Sequence, residues 1–171
     1  MPNNKPKQPV EEKGLKITID DIFGEFKSGF FNRGYSVGVA EFCPYGFGRR
    51  IDIFYFSRWN RETMGYEIKM SRQDFLQDKK WKKYLQFCTR FYFVAPKGII
   101  KPEELPENIG LLEFEFVKRE LWGSGEEADI EYKMQTKYTK KCRKLHNITE
   151  ENYIKILEGL LMKLIYNKNL L

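Results

Sequence analysis

The sequence predicts an α/β domain with a mixed central sheet flanked by helices, in the core order α-β-β-β-α-β. Three observations carry this. Apolar residues recur at helical spacing near the start (Ile19, Ile22, Phe23, Phe26, Phe30) and again within residues 72–88. Between these segments stand three short runs rich in β-branched and aromatic residues, separated by turn signals. A further apolar run, FYFVA, follows the second helical segment, an order that implies a helical crossover into a mixed sheet.

Each element has a local reason. Residues 1–14, rich in Pro, Lys and Glu, read as a loose tail. A helix is expected from Thr18 or Asp20 to Arg33, with Gly34 as its C-cap. Tyr35–Phe42 reads as a strand with Val37, Val39 and Glu41 on one side. After the turn CPYGFG, Arg50–Phe56 and Met64–Met70 form a hairpin through Trp59 and Asn60. Ser71 can cap a helix from Arg72 to about Cys88, striped by Trp81, Tyr84, Leu85 and Cys88. Phe75 and Leu76 fall off that stripe, so its first turns bend or face another surface. Phe91–Ala95 is a strand stopped by Pro96, and KPEELPENIG is a loop or short helical turn. Gly110–Phe116 is the next strand, and residues 117–145 read as strand or irregular around Gly123 and Gly125. Thr149 caps a last helix with an apolar face of Ile156, Leu157, Leu160, Leu161 and Leu164. The expected organisation is a tail (1–14), a core (15–120) and a C-terminal extension (121–171) ending in a helix packed on the core.

Composition narrows the chemistry. The 171 residues are 42% hydrophobic and 16% aromatic, which suits one folded domain rather than a disordered chain. No apolar run approaches the roughly 18 residues of a bilayer span, and the polar start lacks a signal-peptide core. A cytoplasmic address and no membrane partner are the default expectations. Cys43, Cys88 and Cys142 include no C-x-x-C pair, so they read as buried free thiols. His146 is the sole histidine, which removes histidine-rich zinc hydrolases and leaves a serine triad without a nucleophile motif. Chemistry therefore falls to carboxylates and amines. A net charge of +6 favours a polyanionic partner, nucleic acid first.

The hairpin RRIDIFYFSRWNRETMGYEIKM concentrates those groups. A turn centred between Trp59 and Asn60 sets Asp52 directly opposite Glu67. Facing carboxylates destabilise a sheet unless a positive species lies between them. A divalent cation suits such oxygen donors. Lys69 lies two residues beyond Glu67, on the same face. Two acids and an amine on one patch could hold a metal, a water and a phosphate.

Asp52 on the second strand and Glu67-Ile68-Lys69 on the third resemble the PD-(D/E)XK nuclease core, the restriction-endonuclease-like fold, with Ile51 where that name would put proline. The segment EIKMSRQDFLQDKKWKKYLQFCTRFYFVAP is more specific and resembles the MmcB-like DNA-repair proteins within that superfamily. Ser71, Asp74, Phe75, Asp78, Lys80, Trp81, Tyr84, Cys88, Arg90, Phe91, Tyr92 and Phe93 match the family pattern; Thr89 replaces an Asp. Glu41 and Arg50-Ile51-Asp52 match upstream, Gly110-Leu111-Leu112 downstream, so the resemblance spans roughly residues 35–115.

The resemblance implies a Mg²⁺-dependent (or Mn²⁺-dependent) deoxyribonuclease acting in DNA repair or processing. Asp52, Glu67 and Lys69 would be catalytic, and Asp52, Glu67 and the Ile68 carbonyl would hold the metal, with Glu41 as a further ligand. Arg49 and Arg50, by their place beside Asp52, and Lys80, on the border of the stripe, are the DNA-contact candidates. DNA is the expected partner, with no small-molecule cofactor and with homodimerisation left open. Lys79, Lys82 and Lys83 read as a solvated face, and the run Lys137, Lys140, Lys141, Arg143, Lys144 either tracks a phosphate backbone or is a wet loop. The alternative from another class is a non-catalytic nucleic-acid-binding module that retains the nuclease fold.

Overall fold

A computed structural model describes residues 16–27, 36–57, 59–121 and 129–166. Its centre is a six-stranded sheet in the order β1-β2-β3-β4-β5-β6. The strands are β1 (Ser36–Phe42), β2 (Ile51–Ser57), β3 (Thr63–Ile68), β4 (Arg90–Pro96), β5 (Gly110–Leu121) and β6 (Asp129–Lys140). Strands β1–β2–β3 form an antiparallel meander, β3–β4–β5 are parallel, and β6 returns antiparallel on β5. The sheet is therefore mixed, and helices cover both of its faces, as the element order predicts.

Alternation along β4 divides the core. Phe91, Phe93 and Ala95 pack on one face with Phe42, Phe54, Trp81, Phe87, Leu111 and Ile156. Tyr92 and Val94 face the other side, with Ile22, Phe26, Tyr66, Ile68 and Phe114. Helix α1 (Ile19–Glu25) covers the second face, capped by Thr18 and Asp21 in a reciprocal capping box. The expected continuation to Arg33 and the expected Gly34 cap fall in residues 28–35, outside the described segments. The expected tail, residues 1–14, also lies outside them.

The crossover from β3 to β4 departs most from expectation. In place of one helix from Arg72 to Cys88 there is a six-residue α2 (Arg72–Gln77), then 3₁₀ turns at Trp81–Lys83 and Leu85–Phe87. The break falls at Asp78, whose backbone is extended (φ −75°, ψ 116°) and whose Oδ1 accepts the Lys80 N–H at 2.6 Å. That local side-chain bond offers the backbone an alternative to the helix. Trp81, Tyr84 and Cys88 are nevertheless buried as the stripe predicts, joined by Phe87. Thr63 and Thr89 lock the parallel strand starts together: Thr63 N–H donates to Thr89 Oγ1 (3.0 Å), and Thr89 N–H to Thr63 Oγ1 (2.9 Å).

The ambiguous region 117–145 is mostly sheet. Strand β5 continues to Leu121, and β6 pairs with it from Lys140 down to Asp129, so part of the expected extension belongs to the central sheet. Helix α3 (Glu150–Tyr166) starts at Thr149, whose Oγ1 accepts the Asn152 N–H at 3.2 Å. It packs through Ile156, and Gly159 permits the approach. A Cβ there would lie 2.6 Å from the Cys43 carbonyl oxygen. Leu157, Leu161 and Leu164 of the expected packing face are instead exposed. No helix among the described residues is long and apolar enough to cross a membrane.

Candidate active site

The hairpin register puts the acids where the sequence places them. Ile53 pairs with Tyr66 and Phe54 with Gly65, so the same ladder carried one step further sets Asp52 against Glu67. Asp52 Oδ2 accepts the Ile68 N–H at 2.7 Å, which fixes that carboxylate against the end of β3. Glu67 and Lys69 project from the same side of β3, into the core face shared with α2, and are only 7% and 4% exposed. The Lys69 N–H donates to the Val94 carbonyl at 2.8 Å, so the ladder to β4 holds its backbone.

Lys69 is the hub. Its Nζ lies 3.1 Å from Glu67 Oε1, 2.7 Å from Asp78 Oδ2 and 3.6 Å from Asp74 Oδ1. Asp78 is nearly buried, whereas Asp74 is half exposed. The two aspartates stand one turn apart on and just after α2. Arg72 pins the start of that helix by a bidentate pair with Glu104 and a bond to the Ile99 carbonyl (3.3 Å). Asp74 and Asp78 belong to the motif matched in sequence, but only the fold shows that they hold Lys69. Their i, i+4 spacing just after Glu-x-Lys was the available signal.

Burial and crowding set the electrostatics. Burial, then the neighbouring Asp52 charge, push the Glu67 carboxyl up to about 8 against the pull of Lys69. Burial likewise raises Asp52, opposed by the Ile68 N–H and by Lys69. Burial also works to raise Asp78, but hydrogen bonds from Lys69 and the Lys80 N–H overcome it and hold its carboxyl below the usual range. Lys69 is raised: its hydrogen bonds and charge contacts with Asp78 and Glu67 outweigh desolvation. Tyr84, placed in the apolar stripe by sequence, is pushed up to about 12 by burial and then by Glu67, Asp78 and Asp52.

Glu67 Oε2 is buried and has no hydrogen-bond partner. In the metal-free protein, protonation of Glu67 with a side-chain hydrogen bond to Asp78 answers that burial; the ionised carboxylate beside Asp52 would need a positive partner. It fits a hard cation, which takes oxygen donors and, as Mg²⁺, keeps several waters. Among the described residues no set of three or more His, Cys, Asp or Glu side chains converges as a complete metal cage. The side chains that suit a cation are thus Asp52 and Glu67, with Ile68 at the end of the same strand. Glu41 has a φ of +48°, and its exposed carboxylate pairs with Arg50 at 3.3 Å.

The basic candidates divide. Arg49 is half-buried, and Arg50 and Lys80 are exposed. Of the later basic run, Lys140 Nζ donates to the carbonyls of Pro102 (3.1 Å), Leu105 (2.7 Å) and Pro106 (3.0 Å), and Arg143 pairs with Glu107 at 2.7 Å. Those two cations tie the loop before β5 to the end of β6. Trp59 is 73% exposed at the tip of the β2–β3 hairpin. Both ring nitrogens of His146 lie within hydrogen-bond distance of carbonyls, of Leu85 (2.7 Å) and Asn147 (2.9 Å), away from the acidic cluster.

No curated protein matches the chain. A solved structure titled "SPO1766 protein of unknown function from Silicibacter pomeroyi" is similar, with 23% identity, a TM-score of 0.49, and coverage of 78% of this chain and 82% of that one. The model of the family described as "DNA repair protein MmcB-like" matches residues 30–141, a span that holds the hairpin, the Lys69 cluster and all of the central sheet. The chain belongs to the MmcB-like family.

Proposed function

We propose that the protein is a metal-dependent DNA endonuclease of the PD-(D/E)XK type, with a restriction-endonuclease-like core, that serves DNA repair or processing. The family description supports the DNA-repair setting. One observation carries the chemistry: Asp52, Glu67 and Lys69 share one face at the end of β3, with Glu67 Oε2 buried and unpartnered.

Asp52 and Glu67, with the Ile68 carbonyl, would hold Mg²⁺ or Mn²⁺. When bound, such an ion polarises a phosphoryl oxygen and lowers the pKa of water. The remaining work falls to the chain. The Ile68 N–H fixes Asp52 through Oδ2, which leaves Oδ1 as its donor to the ion. Glu67 must give up its proton before it can serve as a ligand, since a coordinating carboxylate is ionised. Lys69, kept cationic by Asp78, orients the attacking water and stabilises charge that develops on the phosphoryl oxygens. Arg49, Arg50 and Lys80 supply backbone contacts without reading sequence.

The test is plasmid nicking in Mg²⁺ or Mn²⁺, with DNA affinity measured across a salt series. Phosphate contacts release counterions, so affinity should fall steeply as salt rises. Metal-dependent nicking supports the reading. Binding without any cutting would favour a module that keeps the fold but not the reaction, and no binding at low salt would end the nucleic-acid assignment.

A further inference from the structure

The packing of Tyr84 accounts for its ring but not for its hydroxyl. The residue joins the 3₁₀ turns Trp81–Lys83 and Leu85–Phe87 and lies in one core cluster with Trp81, Phe91 and Phe93. Glu67 pairs with Phe93 across β3 and β4, so its side chain enters the same side of the sheet. Tyr84 is 4% exposed, and its ring meets Phe47 edge-on, with the centroids 6.1 Å apart. Phe47 belongs to the turn that leads into β2 and Asp52, while Tyr84 follows the break at Asp78. The tyrosine thus bridges the two segments that flank the acids. A phenylalanine would make the same ring contacts.

A buried phenol usually finds a hydrogen-bond partner. Among the described residues the Tyr84 hydroxyl has none, and Glu67 Oε2 is the one unpartnered side-chain oxygen or nitrogen sealed from solvent. The Tyr84 oxygen therefore opens on water. Lys69 and Asp78 are already committed, to each other, to Glu67 and to the Lys80 N–H. Burial and then the charges of Glu67, Asp78 and Asp52 push the phenol up to about 12, so it stays protonated and neutral beside them.

We infer that Tyr84 is a positioning residue of the cation site: its oxygen accepts a hydrogen bond from one of the waters that a hard ion keeps when Asp52 and Glu67 hold it. Such hydrogen bonds orient the ligands of an ion, and their loss typically costs about ten- to a hundredfold in metal affinity or activity. The same role explains why a hydroxyl is kept at a position whose ring contacts do not need one, since burying an unpaired hydroxyl otherwise only costs stability. The inference rests on the proposed cation site and adds to it a group that the carboxylate pattern of the hairpin does not mark.

Tyr84→Phe keeps the ring against Phe47 and removes only the oxygen. By isothermal calorimetry its Mn²⁺ dissociation constant should rise about tenfold or more over that of the wild type. Its metal-free melting temperature and urea midpoint should hold, and the Mn²⁺ concentration for half-maximal nicking should rise in step with the dissociation constant. Phe47→Leu separates the oxygen from the packing. It loosens the same ring contact without touching the hydroxyl, so it should lower the metal-free melting temperature and leave Mn²⁺ affinity close to that of the wild type. Equal Mn²⁺ affinity in wild type and Tyr84→Phe overturns the inference and leaves the cation site standing. Equal weakening by Tyr84→Phe and Phe47→Leu also overturns it, because the effect then belongs to packing. A wild type that binds no Mn²⁺ at millimolar concentration overturns both the inference and the cation site.

Discussion

The ammonium of Lys69 lies 2.7 Å from Asp78 Oδ2, closer than the 3.1 Å that separates it from Glu67 Oε1. The helix break at Asp78 makes this contact, because the same carboxylate accepts the Lys80 N–H and is thereby aimed at β3. Lys69 is consequently held by an anchor outside the hairpin that bears the acids.

Asp78→Asn removes the charge from that anchor and leaves Lys69 buried with Glu67 as its near counter-ion. Breaking one side of a buried pair costs about 3 kcal/mol, and the retained Glu67 contact moderates the loss. Urea unfolding should show the destabilisation. Nicking should fall mainly in kcat, since a neutral amide at this position would no longer hold the Lys69 ammonium in place; an unchanged kcat would deny Asp78 a positioning role.

Glu67 titrates near 8 in the folded protein, against 4.5 for its ordinary value. Between those pH values the native state binds the extra proton, so this group's contribution to stability falls as pH rises through that window. The metal-free melting temperature should therefore drop from pH 5 to pH 8, and Glu67→Gln should flatten the slope. Divalent-ion affinity should rise over the same interval, with release of about one proton per ion bound by isothermal calorimetry. A melting temperature that climbs with pH, equally in wild type and Glu67→Gln, would contradict this account of the cluster.

Asp52→Asn keeps an oxygen to accept the Ile68 N–H but removes the charge that faces Glu67. The metal-free protein should melt higher than wild type, and added Mg²⁺ or Mn²⁺ should then raise it little further. Scanning calorimetry with and without millimolar metal decides the matter. Wild type without any metal-dependent shift would remove the cation from the site.

Much of this arrangement was legible in the sequence, for physical reasons. The hairpin register follows from period-2 alternation on both sides of a polar turn, and it set Asp52 against Glu67 with Lys69 alongside. The stripe Trp81, Tyr84 and Cys88 foretold which residues are buried even though the segment is two 3₁₀ turns, because both helix types return a side chain to one face every three to four residues. The break at Asp78 was not legible, since the local bond from the Lys80 N–H that competes with the helix is made by a carboxylate whose other oxygen is held by a tertiary partner, Lys69. The β5–β6 ladder was left open between strand and irregular: β6 alternates Ile130, Tyr132, Met134 and Tyr138 with charged and polar residues, but Gly123 and Gly125 and the charged run Lys118–Glu120 before them obscured its pairing with β5. Glu41 was read with the acids from its strand position; its left-handed backbone and its exposed pair with Arg50 depend on local geometry that period-2 alternation does not carry.

Lys69→Ala tests the central claim most directly. The variant lacks the amine but keeps both carboxylates, so metal and DNA should still bind, and only an interaction made in the transition state is lost. Plasmid nicking in Mg²⁺ or Mn²⁺ is compared with DNA affinity in Ca²⁺ for wild type and variant. Cutting by wild type that collapses in Lys69→Ala, with affinity preserved, is the predicted result. Nicking that persists unchanged in Lys69→Ala would contradict it.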